Sequence, residues 1–153
     1  MMVMRGNIME MMNCREYSAG RRFVGRLPHG GDLAATLETF CARHDIQTAE
    51  FSLIGAVSRA TLGTYDQKQQ VYVTFTAEGS LEILSCTGNI SVKDGKPFAH
   101  AHVILCEEGG RTIGGHLFPG TVIFAGEARI TELIGPPLVR EYDRTTGLML
   151  WDM

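Results

Sequence analysis

Three of the chain's five histidines, His100, His102 and His116, fall in the segment PFAHAHVILCEEGGRTIGGH. In an extended strand, residues two apart point to the same side at a spacing of about 6.5–7 Å, so the imidazoles of His100 and His102 can converge on one point. The glycines that follow let the chain fold back as a hairpin. If Glu107 lies opposite Arg111, then Cys106 faces Thr112, Ile104 faces Gly114, and His102 faces His116. Directly opposed residues project to one face with Cβ atoms about 5 Å apart. Three neutral imidazoles with an open fourth position form a zinc arrangement, so zinc or another divalent metal is the cofactor this pattern implies. The same residues have plainer roles open to them, as hydrogen-bond partners of backbone carbonyls or as part of a subunit contact. A one-residue slip of the hairpin would send His116 to the other face.

Catalysis at such a site requires a bound water and a general base. Glu82 and Glu127 stand on predicted strands from which either could reach the site; their spacing does not place them, and surface or interface roles suit both better. There is no nucleophile elbow, phosphate-binding loop or dinucleotide fingerprint, because GGRTIGGH lacks the strand–turn–helix context those motifs need. No catalytic residue is assigned. His29 in a turn and His44 at a helix end suit solvated structural roles, and Arg59 suits an interface ion pair better than an anion site. Gly114-Gly115 leaves the strand surface beside His116 open to close approach by a ligand or another backbone.

The elements that must position these side chains are mostly strands. Arg21–Leu27 reads as a short strand before a PHGG turn, after which Asp32 can cap a helix. Leu33, Leu37, Phe40 and Cys41 form its one-sided apolar stripe, ending near His44-Asp45. Beyond it the period changes to two. Strands are predicted at Ala49–Val57, Ala60–Tyr65, Gln70–Ala77, Leu81–Val92, Pro97–Cys106, Thr112–His116 and Thr121–Leu133. Turn signals at Asp66-Gln67-Lys68, Glu78-Gly79, Lys93-Asp94-Gly95-Lys96, Gly109-Gly110 and Pro119-Gly120 separate them, Asp94-Gly95 being a strong hairpin cue. The tail LVREYDRTTGLMLW reads as a final strand pair or as an arm across a neighbouring subunit. An α+β domain follows, a mainly antiparallel sheet with one main helix packed on it. In Pro97–Cys106 the face opposite the histidines carries Ala99, Ala101, Val103 and Leu105, while Phe98, Ile104 and Cys106 share theirs. A strand apolar on both faces is covered on both, which with one helix available argues for a second subunit.

Composition narrows the classes further. A chain of 153 residues with 44% apolar and 20% charged residues suits one globular domain. Its net charge of −3 disfavours strong DNA binding by this chain alone, since phosphate neutralisation supplies most non-specific affinity. No apolar run is long enough to span a bilayer and no signal-peptide core is visible, so no membrane partner is expected. Cys14, Cys41, Cys86 and Cys106 show no CxxC spacing and sit among small or apolar neighbours, as reduced thiols of a cytoplasmic protein do. The start holds six of the eight methionines. The expected division is a leader or arm over 1–15, a domain over 16–134, and an extension over 135–153 belonging to the same globule.

Taken together, IGAVSRATLGTYD (Ile54–Asp66), LEILSCTGNIS (Leu81–Ser91) and PFAHAHVILCEEGGRTIGGHL (Pro97–Leu117) resemble the plants-and-prokaryotes-conserved (PPC) domain, also described as a DNA-binding domain with a PD1-like motif. The helix over Gly31–Ile46 and the strand over Gly120–Leu133 fit the same layout. The resemblance covers about Arg21 to Leu133. It implies an α/β fold with a mainly antiparallel sheet and a homotrimer. In plants the domain follows an AT-hook that grips the minor groove; this sequence has no RGRP-type hook and resembles the bare prokaryotic members. Some of those carry metal at the family's histidines, whose matching positions are His100, His102 and His116. The implied function is a trimeric regulatory or interaction module with a DNA-associated role, meeting DNA weakly or through partner proteins. The alternative is a metal-dependent enzyme or small-molecule-binding protein acting at the same pocket.

Overall fold

A computed structural model describes residues 12–153. Most of the expected leader or arm, residues 1–11, lies outside the described residues. The elements run β1 (Ser18–Arg26), α1 (Leu33–Arg43), β2 (Ala49–Asp66), β3 (Val71–Lys93), β4 (Lys96–Cys106), β5 (Thr112–Leu117), β6 (Val122–Ile134), β7 (Arg140–Asp143) and β8 (Leu148–Trp151). The first six strands form one antiparallel sheet in the order β1-β6-β2-β3-β4-β5, with β7 and β8 as a separate pair. The sheet curls, because the end of β5 also pairs with β2 through Leu62↔Leu117 and Gly63↔His116. The expected class, a mainly antiparallel sheet with one helix, is the one observed.

Local chemistry accounts for most element ends. Asp32 is extended (φ −72°, ψ 131°) and its Oδ1 accepts the Ala35 N–H at 2.9 Å, capping α1. Its Oδ2 accepts the Gly120 N–H at 2.6 Å, which ties the helix start to the turn before β6. Leu33, Ala34, Leu37 and Cys41 bury the helix stripe against the sheet face that carries Phe51, Leu53, Ile90, Ala101, Val103 and Leu105. Asp94 (φ 51°) and Gly95 (φ 75°) supply the two positive-φ positions of the predicted primed turn between β3 and β4.

One expected turn and one expected break between strands are instead bulges. The strands predicted on either side of Ser58-Arg59 are one strand, β2, and those on either side of Glu78-Gly79 are one strand, β3. The ladder between β2 and β3 shifts register between Leu53 and Gly55 and again between Val57, opposite Leu81, and Arg59, opposite Glu78, and then continues. Gly79 has φ +123°, as a turn glycine would, but the partner strand runs on beside it, so the chain kinks without reversing. Of the two readings of the tail, the strand pair is the one observed, and it docks on its own chain. Val92 N–H donates to Leu138 O at 2.7 Å, and Leu138 N–H donates to Thr48 Oγ1 at 3.2 Å.

Candidate metal centre

The hairpin β4–β5 has the register deduced from its residues: Cys106 faces Thr112, Ile104 faces Gly114, and His102 faces His116. Its loop closes through Glu107 N–H to Arg111 O at 2.8 Å and Gly110 N–H to Glu107 O at 3.0 Å, with Gly109 and Gly110 both at φ +88°. The two glycines before His116 serve backbone approach. A Cβ on Gly114 would lie 2.8 Å from Val103 O, and one on Gly115 would lie 2.7 Å from Gly63 O. Only glycine lets β5 nestle between β4 and β2 at that point.

Strand parity and this register bring the three imidazoles together. Their ring centroids are 5.4 Å (His100–His102), 4.9 Å (His100–His116) and 5.6 Å (His102–His116) apart. One nitrogen from each lies within 4.8 Å of the others, the one such metal-capable cluster among the described residues. Nitrogens bound to a single tetrahedral zinc stand about 3.4 Å apart, so small side-chain rotations close the remaining gap. His100 and His116 are half-buried and His102 is exposed. Burial pushes the imidazoles of His100 and His116 down to about 4, with Arg140 next in effect on His100, and His100 and His102 on His116. Both rings are therefore neutral at pH 7, the form that ligates metal. His116 packs at a tilt against Tyr72 (4.8 Å) and edge-on against Phe118 (4.9 Å), and its Nδ1 is buried without a hydrogen-bond partner. An unpartnered buried nitrogen costs about 1–3 kcal/mol. The donor set and this orphaned nitrogen fit a divalent ion.

The residues around the cluster include several that sequence reasoning did not single out. Arg140, from the start of β7, lies over β3 and β4. Its Nε donates to Ser91 Oγ (2.7 Å), Nη1 to Met149 O (2.8 Å), and Nη2 to Asn89 Oδ1 (3.0 Å) and His100 Nδ1 (3.1 Å). The rings of Phe98 and Trp151 flank it with centroids 5.5 and 5.9 Å from Cζ. A cavity of about 430 Å³ opens beside it, lined by Tyr72, Phe98, His100, His116, Phe118 and Arg140 among others. That is ample for a small organic ligand. A larger hollow of about 560 Å³ lies between β1 and α1, bordered by Phe23, Leu37, Phe40 and His44, and none of the three clustered histidines lines it. The only sequence signal for Arg140 is its two-residue spacing from Leu138, which is also buried.

The remaining candidates stay apart. Glu82 pairs with Cys106 at the far end of β4, and Glu127 lies on β6 opposite Ile54. His29 Nδ1 meets Phe124 O at 2.7 Å, and His44 closes α1 against Phe40. Arg59 pairs loosely with Glu78 at 3.7 Å on the surface.

Residues 14–134 match the Plants and Prokaryotes Conserved (PCC) domain. This chain belongs to that family. Among solved PCC-like structures, it is similar to a metal-containing protein from Archaeoglobus fulgidus, at 42% identity and TM-score 0.89 over 93% of this chain and 100% of that one. It is similar to a plant- and prokaryote-conserved protein from Pyrococcus horikoshii at 35% identity and TM-score 0.87, covering 93% and 98% of the two chains. A Ralstonia eutropha protein whose DNA binding is itself a proposal shares 28% identity and TM-score 0.75, over 85% of this chain and 90% of that one. Among curated proteins, the bifunctional protein GlmU of a Synechococcus strain is 32% identical over 81% of this chain. The PCC chain spans 19% of that relative's length.

Proposed function

We propose that this PCC-domain chain is a homotrimeric regulatory or interaction module that holds a divalent metal, zinc in the simplest case, at His100, His102 and His116. The observation that carries the metal reading is the meeting of three imidazoles, two of them neutral at pH 7 and one with an orphaned buried nitrogen. The metal content of the Archaeoglobus relative supports it. When bound, the ion would supply Lewis acidity or a fixed positive charge. The chain's own residues orient the rings: β4 holds two, β5 the third, and Tyr72 and Phe118 clamp His116.

A trimer is supported by the sheet face opposite α1, where Val24, Ile54 and Leu84 are exposed together around a shallow hollow. Such a grouped apolar face is ordinarily covered by a partner. The DNA-associated role rests on relatives of the Ralstonia kind. Contact that is weak or mediated by other proteins agrees with the net charge of −3. Four free cysteines, two of them buried, support the cytoplasmic reading. No described helix is long and apolar enough to cross a membrane, which leaves strands aside. We take 16–134 as the domain and 135–153 as part of the same globule, supported by the seat of Arg140 on β3 and β4. The second reading, a metal-dependent enzyme or small-molecule binder, is favoured by the cavity that joins His100 and His116 to Arg140.

Elemental analysis of protein purified without a nickel column tests the metal reading. About one equivalent per chain is expected, and His102→Ala, an exposed change, should remove it. Less than a tenth of an equivalent in the wild type would sink it. Light scattering should return three times the chain mass, and a monomer would refute the trimer. Gel shifts across a salt series should show at most weak DNA binding; tight binding with a steep salt slope would overturn the indirect role.

A further inference from the structure

Arg140 is a buried cation without a carboxylate. It is 7% exposed, and no ion pair among the described residues includes it. A charge taken out of water demands compensation, and here hydrogen bonds and two aromatic faces supply what compensation there is. The cavity wall beside it adds a second cation, Lys93, whose ammonium lies 4.9 Å from the Phe98 ring. One carboxylate, Glu38, lines the same cavity, and its Oε1 is engaged with the Ala99 N–H at 3.0 Å. The cavity lining thus carries two cations, Lys93 and Arg140, against one carboxylate, Glu38.

The hydrogen bond between Arg140 and His100 sharpens the point. A guanidinium only donates, so the Nδ1 of His100, 3.1 Å from Nη2, must be accepting. A neutral ring that accepts at Nδ1 carries its proton on Nε2. Neither nitrogen is then free for a metal: one lone pair is engaged by arginine and the other nitrogen holds a hydrogen. If the ion binds at Nδ1, it displaces the arginine donor. If it binds at Nε2, the proton moves to Nδ1 and points at the arginine N–H groups, and the contact is lost as well. Metal uptake and the Arg140–His100 bond exclude each other.

Four of the five guanidinium N–H groups have acceptors in this structure, on Ser91, Met149, Asn89 and His100. Losing His100 leaves one free N–H on each terminal nitrogen, beside a newly arrived cation. A planar, bidentate acceptor with negative charge answers both needs. We infer that metal loading converts this cavity into a binding site for a small organic carboxylate, held by Arg140 and the metal together. The inference rests on the metal reading of the histidines. Because the ion and the carboxylate favour each other, each must raise the other's affinity by the same factor.

Benzoate is a suitable probe, since Tyr65, Tyr72, Phe98 and Phe118 give the cavity aromatic walls. Benzamide, of the same shape and uncharged, measures the apolar part alone. Calorimetric titration into the full chain, zinc-loaded and chelator-stripped, is expected to show benzoate binding about tenfold or more tighter with zinc, and no such gain for benzamide. Zinc affinity should rise by an equal factor in benzoate. The arginine side-chain ¹⁵N signals of the wild type should shift on adding zinc and again on adding benzoate. Arg140→Lys should abolish the gain while leaving zinc stoichiometry at one. Should that variant fail to fold, the wild-type comparison of benzoate with benzamide decides alone. Equal benzoate affinity with and without zinc, at one zinc per chain, overturns the carboxylate inference and spares the metal reading. Failure of zinc to bind at all overturns both.

Discussion

Gly88 is where the fold and the site lean on one another most heavily. It sits on β3 opposite Ala101, between the pairs Thr87↔His102 and Asn89↔His100. A Cβ added there would lie 2.2 Å from His100 O, 2.6 Å from Phe51 Cζ and 2.9 Å from Ala101 Cα. Ordinary contact begins near 3.4 Å, so β3 and β4 must part by about an ångström, and two of the obstructing atoms are backbone that no rotamer change can move. Overpacking of this kind costs about 1–3 kcal/mol, and each strained ladder bond adds about 0.5–1.5 kcal/mol. Gly88→Ala should therefore destabilise the protein by about 2–4 kcal/mol. For a chain of this size that lowers Tm by about 5–15 °C. The displaced strand carries His100 and His102 while β5 carries His116, so zinc affinity should fall about tenfold too. Gly25→Ala on β1 is the control, because its Cβ would meet nothing within 4 Å and its φ is ordinary; it should stay within about 0.5 kcal/mol of wild type. Thermal and urea denaturation at one protomer concentration, with zinc competition against a chromogenic chelator, measures both effects. A Gly88→Ala protein as stable as the Gly25→Ala control would refute the close β3–β4 packing from which the site geometry is derived.

Asp32→Ala removes both the helix cap and the acceptor for Gly120 N–H, and should cost about 1–3 kcal/mol by urea midpoint, with Asp32→Asn recovering much of it; an unchanged midpoint would refute the dual role. The Arg21 guanidinium donates to both carboxylate oxygens of Glu132 and holds that carboxyl below its usual range. A depressed folded value means the stabilisation is complete above the unfolded pKa of about 4.3 and is lost as pH falls through the folded value. Glu132→Gln should flatten the stability profile in that acid window, and profiles that run parallel through it would contradict the pairing. Burial raises the Cys41 and Cys86 thiols to about 12. A thiol-specific reagent at pH 8 should label exposed Cys14 promptly and those two only after unfolding, as mass spectrometry of timed samples will show.

What could be read from the residues was what depends on near neighbours. Asp94-Gly95 announces a primed turn because both positive-φ positions lie in the dipeptide itself. Asp32 announces a helix because cap and stripe are within two turns. Glu78-Gly79 misleads for the same reason: a glycine at φ +123° suits a turn or a bulge equally. Only the partner strand, some twenty positions away in sequence, determines which of the two it becomes. Merging the predicted strands into β2 and β3 is thus a tertiary outcome, imposed by a ladder that continues past the kink.

The same division runs through the site. His100, His102 and His116 share one hairpin, so parity and a three-residue loop are enough to bring them to a common face. Arg140 reaches them from beyond Pro136-Pro137, and its burial depends on the docking of β7 and β8 against β3, which nothing local in VREYD encodes. The three histidines are therefore the legible half of the pocket, and the buried arginine charge beside them is the illegible half. A chain whose three histidines served only to brace a trimer would have no use for a buried arginine without a counter-ion beside them. Its presence favours the proposed recognition role over bracing alone, and if the proposed metal binds, the contact at His100 Nδ1 would make that recognition conditional on it.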